Sequence, residues 1–162
     1  MNRKPITTDT AFQRLSARCA QSEQCCHDML KLMQRWELTP QQQSELMARL
    51  IQEKYIDEAR YAHAFVRDKF RYNHWGAARI RQELRLRNID GDTIEDALTE
   101  ISEEDNLEGL RQLLEHKRPT VKASSEYELR CKLIRFAMGR GFSYSDISKV
   151  LDVSDMDVDE MG

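Results

Sequence analysis

The chain has 162 residues, 40% of them apolar and 33% charged, with only 6 Gly and 3 Pro. Its formal net charge is −3, and no apolar run approaches the ~20 residues that a helical membrane span needs. β-Branched runs bounded by turn residues are almost absent, which excludes a sheet protein and leaves a surface-rich, all-α chain.

Helical periodicity runs the length of the sequence. After a polar leader over residues 1–8, Asp9 or Thr10 is expected to start a first helix through Phe12, Leu15 and Cys19. Ser22 is the expected cap of a second, with Met29, Leu32 and Met33 leading to Trp36. Thr39-Pro40 opens a third whose inner stripe is Leu46, Met47, Leu50 and Ile51, Pro being favoured at the first helical position. Asp57 caps a fourth with Tyr61, Ala62, Phe65 and Val66 inward; a fifth runs from about Trp75 to Arg87 and a sixth from Asp90 to about Ile101. Ser102 caps a seventh through Leu107, Leu110, Leu113 and Leu114, and Pro119 to Ser125 reads as a linker. Ser125 and Ser143 then cap an eighth and a ninth helix, before an acidic tail over residues 153–162.

One helix–helix joint occurs three times, centred on Met29/Met33 with Leu38-Thr39, Ile80/Leu84 with Ile89-Asp90, and Leu133/Ala137 with Phe142-Ser143. Each has an apolar i, i+4 pair, then an apolar residue followed at once by an N-capping residue. Gly141 and Asn88 suit the left-handed stop that ends such a helix, and Glu37 suits it poorly. Ile89 is placed to reach Ile94, and Phe142 to reach Ile147, as staples across the cap; Gln43 takes that place in the first copy. A period near 50 residues fits three short helices per unit, which divides the chain into units at 9–53, 57–101 and 102–152.

Charge is segregated along these units. Residues 60–90 hold 8 basic and 3 acidic groups, residues 91–115 hold 1 and 9, and residues 116–140 hold 7 and 2. Arg67 and Arg71 are paired by spacing on the fourth helix, and His74, Ala78, Arg81 and Arg85 form a stripe on the fifth, with Arg79 and Arg87 beside them. Tyr72 and Trp75 add aromatic surface at the joint between the two helices. Such a face suits acidic protein surface, DNA phosphate, or both. Lys117, Arg118, Lys122, Arg130, Lys132 and Arg135 form a second basic set, in which Glu128 and Lys132 can pair at i, i+4.

Three strings, in order, carry a family likeness: Tyr55-Ile56-Asp57-Glu58 with Tyr61-Ala62 and Phe65-Val66; Gly76 with Ile80, Glu83-Leu84 and Asn88-Ile89; and Lys132 with Phe136, Arg140-Gly141-Phe142-Ser143-Tyr144 and Ile147. In this spacing they resemble the RecX family of bacterial recombination regulators, over about residues 12–152. The resemblance implies three tandem three-helix repeats in a curved, elongated monomer. It implies binding to the RecA recombinase and to its filament on single-stranded DNA, with inhibition of ATPase and strand exchange, and a role in homologous recombination, DNA repair and the SOS response. Arg67, Arg71, Arg79, Arg81, Arg85, Arg87, Lys132 and Arg135 are then the expected filament contacts, with weak direct DNA contact besides. The family carries no catalytic motif and no cofactor. Three places depart from its pattern: Gln24 with Cys25-Cys26-His27 in the first unit, Arg87-Asn88 where Lys-Gly is frequent, and the tail beyond Leu151.

Other readings of the residues are weaker. Cys25 and Cys26 point about 100° apart on a helix, and no second ligand pair follows at a zinc-site interval. With Cys19 and Cys131 they read as reduced thiols in a cytoplasmic protein, since Met1-Asn-Arg-Lys-Pro-Ile lacks an apolar signal core. No Gly-rich phosphate loop or nucleophile signature is present, so an enzyme is not expected. Residues 141–156 mimic a helix-turn-helix, but its second helix would carry four acidic groups and no basic one, which phosphate repels. The competing function is a helical module that grips DNA without sequence preference and without the recombinase; steep salt dependence of binding to bare DNA distinguishes it.

Overall fold

The computed structural model describes residues 4–151, and among them the chain is nine α-helices and one 3-10 turn with no strand. The helices are α1 (Thr8–Gln21), α2 (Cys26–Arg35), α3 (Pro40–Gln52), α4 (Glu58–Arg71), α5 (Ala77–Leu86), α6 (Gly91–Leu98), α7 (Glu103–Lys117), α8 (Glu126–Gly139) and α9 (Tyr144–Val150). The turn is Arg118–Thr120, overlapping the start of the Pro119 to Ser125 stretch that reads as a linker.

Most starts are made by the expected side chains. Thr39, Ser102, Ser125 and Ser143 each accept a hydrogen bond from a first-turn N–H, and Asp57 does the same for Arg60. Two starts differ. Thr7, not Asp9 or Thr10, caps α1, which leaves Asp9 inside the first turn where its charge suits the helix dipole. Ser22 does not cap α2; it ends α1, its N–H donating to Arg18 O at 3.1 Å. Cys25 precedes α2 with no side-chain cap, and the Cys26 N–H instead donates to Glu58 Oε1 at 3.4 Å. A cap brought from 32 residues away has no local signature.

The three repeated joints are superimposable in their hydrogen bonding. Leu38, Ile89 and Phe142 each donate an N–H to the carbonyl five residues back, on Met33, Leu84 and Ala137, at 3.1, 3.2 and 3.1 Å. The residue before each is left-handed: Glu37 at φ 60°, Asn88 at 58° and Gly141 at 97°. Glu37 therefore adopts the stop that its side chain disfavours. Ile89, Ile94, Phe142 and Ile147 are all buried, as staples require. In the first copy Gln43 replaces the apolar contact with a hydrogen bond, its Nε2 donating to Leu38 O at 2.7 Å.

Two compact units divide the chain: Met1–Ala64 with Leu84–Ala97, and Phe65–Glu83 with Leu98–Gly162. The first is centred on Ala11, Leu15, Met29, Met33, Leu46 and Leu50 of α1 to α3, joined by Leu38 and Ile56. Ile51, expected in that stripe, is 48% exposed, because it sits one position past the buried Leu50 on the helix wheel. The second is centred on Leu110, Leu113, Leu114, Leu133, Ile134, Ala137, Phe142 and Ile147 of α7 to α9.

Within the second unit, the start of α5 is built by another helix's end. The Gly76 N–H donates to Arg140 O at 2.7 Å and the Ala78 N–H to Gly141 O at 3.1 Å. Free N–H groups of one helix thus meet free carbonyls of another, satisfying both without a side-chain cap. Arg140 also donates from its guanidinium to Asn73 O at 3.1 Å. A Cβ on Gly76 would lie 2.4 Å from Gly141 O, and one on Gly141 would lie 2.5 Å from the Cβ of Arg79. Helix α5 consequently begins at Ala77 rather than Trp75, and His74 lies in the joint at φ 56° instead of on the helical stripe.

Gly76→Ala is expected to destabilise the protein by about 1–3 kcal/mol, as overpacking does, because the obstructing atoms are backbone. Urea unfolding checks this; an unchanged midpoint would mean the two segments separate freely. Glu37→Gly has the opposite sign. Relief of a left-handed residue is worth about 1–2 kcal/mol, and the flexibility of glycine returns about half of that. A net gain of about 0.5–1 kcal/mol is expected in the same measurement.

Candidate partner-binding surface

Ion pairing sorts the cations more sharply than their position in the sequence does. In the second unit Arg67 meets Glu100 at 3.5 Å, Arg111 meets Glu108 at 2.7 Å, and Arg118 and Arg130 share Glu126 at 3.3 and 3.7 Å. Lys132 pairs with Glu128 at 3.0 Å, as its spacing predicts, and donates to Lys122 O at 2.6 Å. Hydrogen bonds from Ser124, followed by Lys132, pull the Glu128 carboxyl down to about 2. This helix surface is therefore largely neutralised internally, and Lys132 is committed to it.

Other cations meet no carboxylate among the described residues. Lys69, Arg71, Arg79, Arg135 and Arg140 are of this kind, and four of the five gather about the α4–α5 joint. Lys69 Nζ lies 5.0 Å from the Trp75 ring centroid and 5.4 Å from that of Phe65; the Arg79 guanidinium lies 4.2 Å from Trp75. Arg140 reaches Asn73 O, as above, and lies 5.0 Å from the Phe136 ring. Stacking of this sort holds a cation in place and leaves its charge uncancelled. Tyr72, at the end of α4, is 70% exposed.

The remaining candidates fall in different surroundings. Arg71 lines a cleft of about 420 Å³ with Arg67, Phe70 and His74 on one wall and Glu100, Asp105 and Glu108 on the other. Gly109 floors it, since a Cβ there would come within 2.8 Å of the Phe70 ring. Arg81 is half-buried beside a second cleft that also holds Glu103 and Asp146. In the first unit Arg85 is exposed and Arg87 is half-buried, 4.0 Å from Asp28. Lys69 and Arg140 are the cations that sequence spacing passed over. Lys69 could have been found as the i+4 partner of Phe65, whereas nothing local marks Arg140 as reaching Asn73.

The cysteines lie in the first unit, apart from Cys131. Burial pushes the Cys25 thiol up to about 11, and burial with the Glu58 carboxylate pushes Cys26 up to about 12. Among the described residues no group of three His, Cys, Asp or Glu is arranged to hold a metal ion. No helix among them is long and apolar enough to cross a membrane. The second helix of the helix-turn-helix mimic lies outside the described residues.

Family comparison places this geometry. Residues 57–98 match the model of the RecX second three-helix domain, and residues 103–151 that of the third. A regulatory protein RecX from Vibrio parahaemolyticus is 31% identical over 134 residues, 81% of this chain and 84% of that protein. One from Bacillus subtilis is 31% identical over 127 residues, 76% of this chain, which spans 47% of the length of that longer relative. Two crystal structures share the fold. A regulatory protein RecX has TM-score 0.82 at 23% identity, covering 90% of this chain and 73% of its own. RecX from Lactobacillus salivarius has TM-score 0.78 at 19% identity, covering 93% and 97%.

Thiol chemistry tests the burial of the cysteines. Only a thiolate attacks a disulfide reagent, and thiols held near 11 and 12 are almost wholly protonated at neutral pH. In native protein, Cys25 and Cys26 are expected to react at least ~100-fold more slowly than in urea-unfolded protein. Reaction within a few-fold of the unfolded rate would show that these side chains reach solvent.

Proposed function

This chain belongs to the RecX family, a family of regulatory proteins, and from that membership we propose that it binds the RecA recombinase and its filament on single-stranded DNA. Binding inhibits ATPase and strand exchange, without catalysis by the chain itself. The match over residues 57–98 and 103–151 carries this reading. Tandem helical repeats support it, because such arrays offer extended surfaces to long partners. The uncompensated cations of the second unit support it as well, since each attracts an anionic group at no loss of an internal ion pair.

Of the eight candidate contacts, Arg71, Arg85 and Arg135 are exposed and without a carboxylate partner among the described residues, which favours them as direct contacts. Arg79 acts through its place over Trp75. Arg67, Arg81, Arg87 and Lys132 have internal surroundings to give up and contribute less.

Arg71→Glu should leave α4 intact, because the side chain is exposed and both residues favour helix. Inhibition of the filament ATPase is expected to weaken about tenfold, equivalent to ~1.4 kcal/mol. Lys31→Glu, within residues 1–59 where 8 basic and 8 acidic groups balance, serves as the control and should change it little. A parent chain that leaves the filament ATPase unaltered at micromolar concentration would rule out the proposed function.

A further inference from the structure

We infer that the α4–α5 joint of the second unit is a binding site for single-stranded nucleic acid, with the Tyr72 ring as the platform on which one base stacks. This deepens the reading above and rests on it for the source of the strand, the DNA inside the filament.

Three observations meet at this joint. The first is an aromatic ring with no structural duty. Tyr72 is 70% exposed, the most exposed of the large apolar side chains among the described residues, although its backbone is held, its N–H donating to Asp68 O at 2.8 Å. A rigid ring fixed on an ordered backbone loses little freedom on stacking.

Charge is the second. Lys69 lies one turn before Tyr72 on the same face of α4, Arg71 precedes it, and Arg140 is tied to Asn73, the residue after it. Arg79 stacks 4.2 Å from Trp75, three residues on. None of these four meets a carboxylate among the described residues, while Arg67, Arg111, Arg118, Arg130 and Lys132 in the same unit all do.

The third is the rigidity of the joint. The Gly76–Arg140 and Ala78–Gly141 hydrogen bonds fix its backbone, and the Trp75 ring and the Asn73 carbonyl hold Arg79 and Arg140 beside it. A ligand that suits it carries repeated negative charge and flat π-faces at once. Single-stranded nucleic acid does so, with phosphates for the cations and a base for the ring. An acidic protein segment would use the charges and leave the ring idle. In a duplex the base faces are already stacked.

The test uses the full chain with a fluorescently labelled oligothymidylate and with an abasic strand of equal length, by anisotropy at low salt. Tyr72→Ala should weaken binding to oligothymidylate about tenfold, within the range of one lost base stack, and leave abasic-strand binding unchanged. Tyr72→Phe, which keeps the ring, should bind as the parent does. Arg71→Ala should weaken both strands and lower the salt slope by about 0.7. The inference is overturned if the parent does not bind oligothymidylate, if Tyr72→Ala binds it normally, or if that variant weakens both strands equally. Filament ATPase inhibition, measured on the same proteins, keeps the two readings apart: its absence in the parent defeats the recombinase reading alone, and oligothymidylate binding decides this one.

Discussion

The contact between Gly76 and the Arg140-Gly141 backbone is what the second unit is organised around. Two segments of chain that lack side chains at the point of meeting approach closely enough for main-chain N–H groups at the start of α5 to reach main-chain carbonyls at the end of α8. Helix ends are ordinarily completed by side chains or water. Here each end completes the other, and the favourable alignment of their partial charges adds to the hydrogen bonds. Because the atoms involved are backbone, the geometry is insensitive to rotamers. Trp75 and Arg79, stacked on each other on either side of this contact, take their places from it.

Charge in this protein is informative only after pairing is subtracted. Residues 116–140 look as basic as residues 60–90 in their excess of cations. Yet Arg118, Arg130 and Lys132 are answered by Glu126 and Glu128 within the same stretch. At the α4–α5 joint Lys69 and Arg79 are held by rings and Arg140 by a ring and a carbonyl, which position a charge without neutralising it. The two arrangements differ in what they do for a partner. An ion-paired arginine must break a contact before making one, so it gains little from an incoming phosphate or carboxylate. A stacked arginine is already ordered and still charged, so its attraction is available in full.

The repeat architecture was legible because it is written in local rules: apolar i, i+4 pairs, a capping Thr or Ser, and an apolar residue placed for a staple. Phe142 and Ile89 are buried where those rules put them. What escaped were the features made by distant partners. Glu58 supplies the cap of α2 from another helix, and Arg140 O shortens α5 by two residues at its start. The same limit applied to the surface. Helical spacing placed Arg67 and Arg71 side by side correctly, but it could not show that Glu100 claims one of them and not the other. His74 was placed on a helical stripe by its spacing, whereas the joint holds it left-handed outside the helix.

The glycine at position 141 shows how backbone conformation and packing can be separated. Glu37 and Asn88 occupy equivalent stops with φ near 60°, so the left-handed turn alone does not demand glycine. Lys54 and His74 adopt it too, at 63° and 56°. What distinguishes Gly141 is the Arg79 backbone lying where a side chain would begin. A left-handed glutamate costs on the order of 1–2 kcal/mol and a repeat tolerates it. A Cβ driven into a neighbouring main chain cannot be relieved by turning a side chain. Among three joints of the same hydrogen-bonded form, glycine stands at the one whose main chain meets the main chain at the start of α5, and Gly76 is its counterpart on the opposite side of that contact.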